Sequence, residues 1–208
     1  TMKNWTKLFK HTRRFISVLL LSFLIAPIAN AEVRIDITRG VVKPIPLAVT
    51  DFHGISAEES QVGRDIAGVV SADLERSGLF KPVDKRAFLQ TPASLQVQPR
   101  FNDWRVINTQ ALVNGIVKRQ EDGRLRVEFR LWDVVAEAQM TGLAYFTKID
   151  NWRRVSHIIA DAIYKRITGE SGIFDTRIVY ISESGTQTRR VRRLAIMDQD
   201  GANHRFLT

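Results

Sequence analysis

The stretch from Leu112 to Asp133 constrains the fold more than any other part of the chain. Leu112 to Arg119 and Arg124 to Asp133 flank Glu121-Asp122-Gly123. Two β-rich runs around a glycine at a position that needs a positive φ predict an antiparallel hairpin. On its second strand Leu125, Val127, Phe129 and Leu131 alternate with Arg126, Glu128 and Arg130, so one face is apolar and the other wet or charged. A sheet with one apolar face needs a layer of helix to cover it, and two segments can supply one.

The first begins at Ser56 and Glu59, which have capping-box spacing. Val62, Ile66, Val69, Val70 and Leu74 follow at helical spacing and Gly78 offers a left-handed stop, predicting a helix over 57–77. Gly63 and Gly68 weaken this helix intrinsically, so both are expected where it closely approaches the sheet. The second begins at Asp150, expected as its cap, and carries the stripe Trp152, Val155, Ile158, Ile159, Ala162, Ile163 and Ile167 before Gly169 ends it.

Further strands are read over 32–37, where Val33, Ile35 and Ile37 share one side, over 41–52, over 79–83 and over 141–149. Pro44 and Pro46 each remove a ladder donor, which predicts an edge or unpaired position for the first half of the second run, with Leu47 to Val49 entering the sheet. Residues 84–89 read as a short helix, 91–99 as a loop, and 101–107 as a helical turn capped by Asn102 or Asp103. Trp104, Trp132 and Trp152 lie in or beside these patterns and are expected in the core. The sum is an α/β domain, a mixed sheet covered by two main helices, ending near Phe174. From Thr176 the style changes. Residues 177–182, 191–198 and 204–208 are short strands with turns at Gly185 and Asp200-Gly201 and no helix between them. Three such strands have little to bury themselves against alone, so they are expected to open a larger stacked array that the chain leaves incomplete.

Ahead of all this, Lys3, Lys7, Lys10, Arg13 and Arg14 precede the uncharged run Phe15 to Ile28 and the small-x-small tripeptide Ala29-Asn30-Ala31. That order predicts a secretory signal peptide over 1–31, cleaved after Ala31, with no permanent membrane anchor and a periplasmic mature protein starting at Glu32. Its removal takes five basic and no acidic side chains, lowering the formal charge from +9 to +4. Much of the basicity is therefore targeting. The run Arg189, Arg190, Arg192 and Arg193 has no interleaved aromatic residue, which favours a solvated face over nucleic-acid binding. The absence of cysteine excludes disulfides, thiolate catalysis and thiolate-bound zinc.

No catalytic, cofactor or metal site is expected. Asp51, His53 and Ser56 contain the side chains of a nucleophilic triad, but there is no G-x-S-x-G elbow and Ser56 is better used as a cap. His11, His53, His157 and His204 are scattered without metal-ligand spacing. Asp198-x-Asp200-Gly201 opens like a calcium loop, yet Ala202 and Asn203 occupy the positions where an oxygen ligand and a glycine are needed, so a β-turn explains it. The feature with binding potential is the alternating segment that starts the mature chain, which can pair with its own sheet or with a partner's open edge.

Three passages resemble the TolB family of the Tol-Pal envelope system: E-V-R-I-D-I at Glu32, D-I-A-G-V-V-S-A-D-L-E-R-S-G-L-F from Asp65 to Phe80, and R-I-V-Y-I-S-E-S with D-Q-D-G-A-N near the end. The resemblance implies an N-terminal α/β domain similar to anticodon-binding domains over 32–174, followed by a six-bladed β-propeller of which 175–208 is an incomplete first blade. It also implies a non-catalytic periplasmic adaptor supporting outer-membrane invagination during cell division and envelope integrity. Its propeller would bind the outer-membrane lipoprotein Pal. Its mature N-terminal segment, here Glu32, Val33, Arg34, Ile35, Asp36, Ile37, Thr38, Arg39 and Gly40, would engage the inner-membrane protein TolA. After Asp36 the match loosens, at Lys43-Pro44-Ile45-Pro46. The alternative from another class is the front of a propeller-bearing periplasmic hydrolase whose catalytic domain lies beyond residue 208.

Overall fold

The hairpin forms as expected and is the centre of a five-stranded sheet. The computed structural model describes residues 43–208, all within one compact unit, so the signal peptide expected over 1–31 and the segment Glu32 to Gly40 lie outside the described residues. Strands β1 (Ile45–Val49), β2 (Phe80–Pro82), β3 (Ala111–Arg119), β4 (Leu125–Asp133) and β5 (Ala138–Thr147) are arranged in the order β2-β1-β3-β4-β5. β1 runs parallel to β2 and β3, while β3, β4 and β5 are antiparallel neighbours, which makes the sheet mixed. Gly123 in the hairpin turn has φ +81°, the conformation a side chain would resist.

Helices α1 (Ala57–Arg76) and α3 (Trp152–Thr168) cover one face; a short α2 (Phe101–Arg105) lies between them in sequence. α1 buries Val62, Ile66, Val69, Val70 and Leu74, and α3 buries Val155, Ile159, Ile163 and Ile167. They close over Leu125, Val127, Phe129 and Leu131 of β4 in one continuous core. Each buried aliphatic side chain contributes about 1.5–3 kcal/mol relative to exposure, so this layer dominates the stability of the unit. Gly63 is where α1 meets β1's exit: a Cβ there would lie 2.1 Å from the Phe52 carbonyl oxygen. Gly68 differs from expectation, since a Cβ there would meet nothing within 4 Å; it faces open space.

Several boundaries follow tertiary demands instead of local signals. β1 is interior, not at an edge, despite Pro46; Pro44 precedes the strand. Pro46 sits beside Gln110, just before β3 begins, where its carbonyl accepts the Gln110 N–H at 2.9 Å and no ladder donor is asked of it. Asp150 falls in a 3₁₀ turn, and α3 starts after Asn151 without a side-chain cap. Neither Asn102 nor Asp103 caps α2; Arg100 occupies the cap position without a side-chain bond. The second sheet face is not simply wet. Leu95, from a 3₁₀ turn over Pro92–Gln96 where the sequence predicts a loop, packs with Phe101 and Trp104 of α2 on Ala48, Leu112 and Trp132. Both indoles there are satisfied: Gln90 accepts the Trp104 indole N–H at 2.7 Å, and Asn114 joins the Trp132 indole at 2.7 Å to the Leu95 carbonyl at 2.6 Å. Trp152 is only partly buried.

Beyond Gly169, which ends α3 with φ +83°, a second, three-stranded antiparallel sheet contains β6 (Arg177–Ser184), β7 (Val191–Asp198) and β8 (Arg205–Phe206) in that order. This is consistent with the start of a β-propeller. Among the described residues no helix is long and apolar enough to cross a membrane.

Candidate functional site

Where the turn between β7 and β8 meets the ends of α1 and α3, the chain buries an ionic cluster. Asp73, in the last full turn of α1, is completely inaccessible, and His157, one turn into α3, is 2% exposed. The imidazole Nδ1 lies 2.5 Å from Asp73 Oδ2. The other carboxylate oxygen of Asp73 accepts from Arg76 Nη1 at 3.0 Å and from Gln199 Nε2 at 3.1 Å. Asp73 thus links two helices and the turn of the second sheet.

The far side of the ring faces that turn. His157 Nε2 has no hydrogen-bond partner, and its nearest carboxylate oxygen, Asp200 Oδ2, is 3.7 Å away. Asp200 Oδ2 accepts Arg153 Nε at 3.1 Å and Nη2 at 2.5 Å, while its Oδ1 takes the Ala202 N–H at 3.0 Å. Asp198, also buried, accepts Asn203 Nδ2 at 2.6 Å and has Arg177 Nε at 3.6 Å. The turn explains these acids, as the sequence suggests, but it also presents both of them to a histidine.

Burial alone would depress the His157 pKa; the hydrogen-bonded Asp73 carboxylate, helped by Asp200 and Asp198, outweighs it and holds the pKa above the ordinary histidine value. For Asp200, burial works to raise the pKa, and the Ala202 amide, Arg153 and His157 overcome it, so it is lowered. Both shifts favour the charged pair.

His157, Asp198 and Asp200 offer ligand atoms within 4.8 Å of one another. They do not fit a divalent cation as they stand. The oxygen of Asp200 that faces the ring is held by the Arg153 guanidinium, Asp198 is held by Asn203 and lies near Arg177, and these arginines already balance the carboxylates. Nor is this a nucleophilic dyad, because both ring nitrogens face carboxylates. The triad-like set disperses: Asp51 pairs with Lys85, His53 bridges Ile116 through the backbone, and Ser56 accepts the Glu59 N–H at 3.1 Å as a helix cap. Arg189, Arg190, Arg192 and Arg193 are exposed, with Arg190 and Arg192 paired to Glu183.

The approach to this cluster is shaped by the connection after α3. Asp161 accepts the Phe174 and Asp175 N–H groups at 2.8 and 3.0 Å, and a Cβ on Gly172 would lie 2.1 Å from Asp161 Oδ1, so glycine is required there. Beside the cluster, Arg64, Asp65, Gly68, Arg76 and Trp152 line a shallow groove of about 390 Å³. Sequence reasoning missed His157. Its signal was a buried-face position next to Ser156 on an otherwise apolar stripe, which requires a polar partner from elsewhere.

The model of the TolB amino-terminal domain matches residues 33–140, just over half the chain. The chain belongs to the TolB family. It is similar to the Tol-Pal system protein TolB of Paramagnetospirillum magneticum, with 64% identity over 180 residues, covering 86% of this chain and 40% of that relative. The chain therefore spans well under half the length of this curated relative. The crystal structure of TolB from Acinetobacter baumannii superposes with a TM-score of 0.67 at 23% identity, over 85% of this chain and 41% of that one, which supports the shared fold.

Proposed function

We propose that the chain is the front part of a non-catalytic periplasmic adaptor of the Tol-Pal system. The observation that carries this is the 64% identity to a protein named as a Tol-Pal component. In this reading residues 1–31 direct export and are cleaved after Ala31, 32–174 form the α/β domain, and 175–208 begin a propeller that, when complete, binds Pal. The freed segment Glu32 to Gly40 pairs with TolA, linking the inner membrane to the outer membrane as the envelope constricts.

Alternation of Val33, Ile35 and Ile37 with charged residues suits addition to an open sheet edge, where main-chain bonds give affinity and alternate side chains give specificity. Deleting residues 32–40 and titrating the TolA periplasmic domain by calorimetry tests it: binding is expected to be lost, and unchanged affinity overturns the assignment. N-terminal sequencing of the exported protein is expected to read Glu-Val-Arg; a retained leader overturns the predicted cut.

A further inference from the structure

We propose that His157 is a proton-operated latch: with both ring nitrogens protonated it holds the Asp198–Asn203 turn, and with it the β6–β8 sheet, against the ends of α1 and α3, and loss of one proton loosens that docking. The inference rests on the geometry of the described residues and is independent of the Tol-Pal reading.

The ring is sealed between the ends of α1 and α3 and the β7–β8 turn, which the Asp73–Gln199 and Arg153–Asp200 bonds also join. α1 contributes Asp73, which carries Arg76 as its own counter-ion. The turn contributes Asp200, 3.7 Å from Nε2, and Asp198, with Arg177 of β6 beside it. On α3 itself, Arg153 pairs with Asp200, Arg154 pairs with Asp175, and Asp161 is committed to backbone amides. Beneath α3 the β4 face is apolar, through Leu125, Val127, Phe129 and Leu131, so no further charge approaches from the sheet. Three carboxylates thus face one imidazole, with arginines bound to their outer sides.

The neutral ring cannot satisfy this arrangement. With its one proton on Nδ1, bonded to Asp73, Nε2 is a lone pair aimed toward the Asp200 carboxylate, two acceptors facing one another in a dry site. The imidazolium replaces that repulsion with attraction on both sides. Its pKa is raised in the docked state, so the contribution is fully present below the ordinary histidine value and is lost as pH rises through the raised one. Asp200 has the opposite sign: its lowered pKa makes its contribution persist until pH falls well into the acid range. The latch is therefore closed in mildly acidic solution and opens toward alkaline pH.

The test uses the full chain. Carbon-detected NMR of the His157 ring gives its midpoint, and hydrogen exchange, corrected for intrinsic rates, is followed at the Phe174 and Asp175 amides, which bond to Asp161 of α3, and at the Gln199 amide of the β7–β8 turn, which bonds to Thr176, with Val117 in the main sheet as control. From about pH 6 to about pH 9 the protection of the first three is expected to fall at least about threefold relative to Val117, with the same midpoint as the ring. His157→Gln is expected to abolish that pH dependence. Asp200→Asn is expected to lower the ring midpoint while leaving the histidine in place, and it decides the matter if the glutamine variant does not fold. A His157 midpoint at or below the ordinary value, protection that stays level while the ring titrates, or an Asp200→Asn variant with an unmoved midpoint overturns the latch.

Discussion

The two contact layers of α1 and α3 are built from opposite materials. Toward the sheet they present aliphatic side chains that meet β4 in a dry, continuous core. Toward the β7–β8 turn the same helices present Asp73, Arg76, Arg153 and His157, and the turn answers with Gln199, Asp198 and Asp200. An apolar layer is non-directional and tolerates small shifts. An ionic layer has one geometry, leaves a charge stranded if that geometry is lost, and responds to pH. The helices are thus fixed firmly to one neighbour and conditionally to the other.

The comparison breaks most visibly in the core. Phe129→Ala removes a fully buried ring from the centre of β4 and is expected to cost about 3–5 kcal/mol in urea unfolding, with both layers lost together. Asp73→Asn is expected to cost less, about 2–3 kcal/mol, because the amide oxygen can still accept from His157 while the charge that favours the imidazolium is gone. Its signature is different from that of the core variant: the stability curve against pH should lose its decline on the alkaline side of the His157 titration. A variant that keeps that decline would show the ionic layer to be only packing.

This contrast also explains what could be read in the sequence. Period-two alternation in β4 and helical spacing in α1 and α3 report a local face meeting any apolar neighbour, so the α/β class, the hairpin and the covering helices were legible. The cluster was not, because it unites Asp73, His157 and Gln199, which lie 84 and 126 residues from one another in the pairs Asp73–His157 and Asp73–Gln199. Aspartate in an α1 turn and aspartate in a tight turn each had a sufficient local explanation. Pro46 misled for a related reason. Its lost donor falls where β3 has not yet begun, a matter of register between strands that no single segment contains.

Between these extremes lies Gly63, predicted to mark a close approach. Gly63→Ala forces a Cβ to within 2.1 Å of the Phe52 carbonyl oxygen, backbone that cannot swing aside, and is expected to cost about 1–3 kcal/mol in thermal unfolding. Gly68→Ala is its control. With open space around it, the added methyl should raise helix propensity and stabilise by up to about 1 kcal/mol. Equal costs at the two sites would remove the argument that close approach to the Phe52 backbone demands glycine at 63 and not at 68.

The smallest effect separates the two helices from each other. α1 begins with a reciprocal capping box: Ser56 Oγ accepts the Glu59 N–H at 3.1 Å, and Glu59 Oε2 accepts the Ser56 N–H at 2.9 Å. Glu59 Oε1 also accepts the Arg119 N–H at 2.7 Å, tying the helix start to the end of β3; that bond, then Ser56, lowers its pKa. α3 begins after Asn151, which holds the cap position without a side-chain bond. Ser56→Ala is therefore expected to cost about 1 kcal/mol and Asn151→Ala only a few tenths, although asparagine and serine rank alike as caps in isolation. A pH series adds a second reading. Because the Glu59 pKa is lowered by folding, its contribution stands above the usual carboxylate range and disappears as pH falls through the lowered value. The difference between wild type and Glu59→Gln should accordingly shrink in acid, and should do so without altering the alkaline limb that belongs to His157. Two titrations at the two ends of α1, opposite in sign and separable by single substitutions, would show that this helix is held at its start by a carboxylate and at its end by a proton.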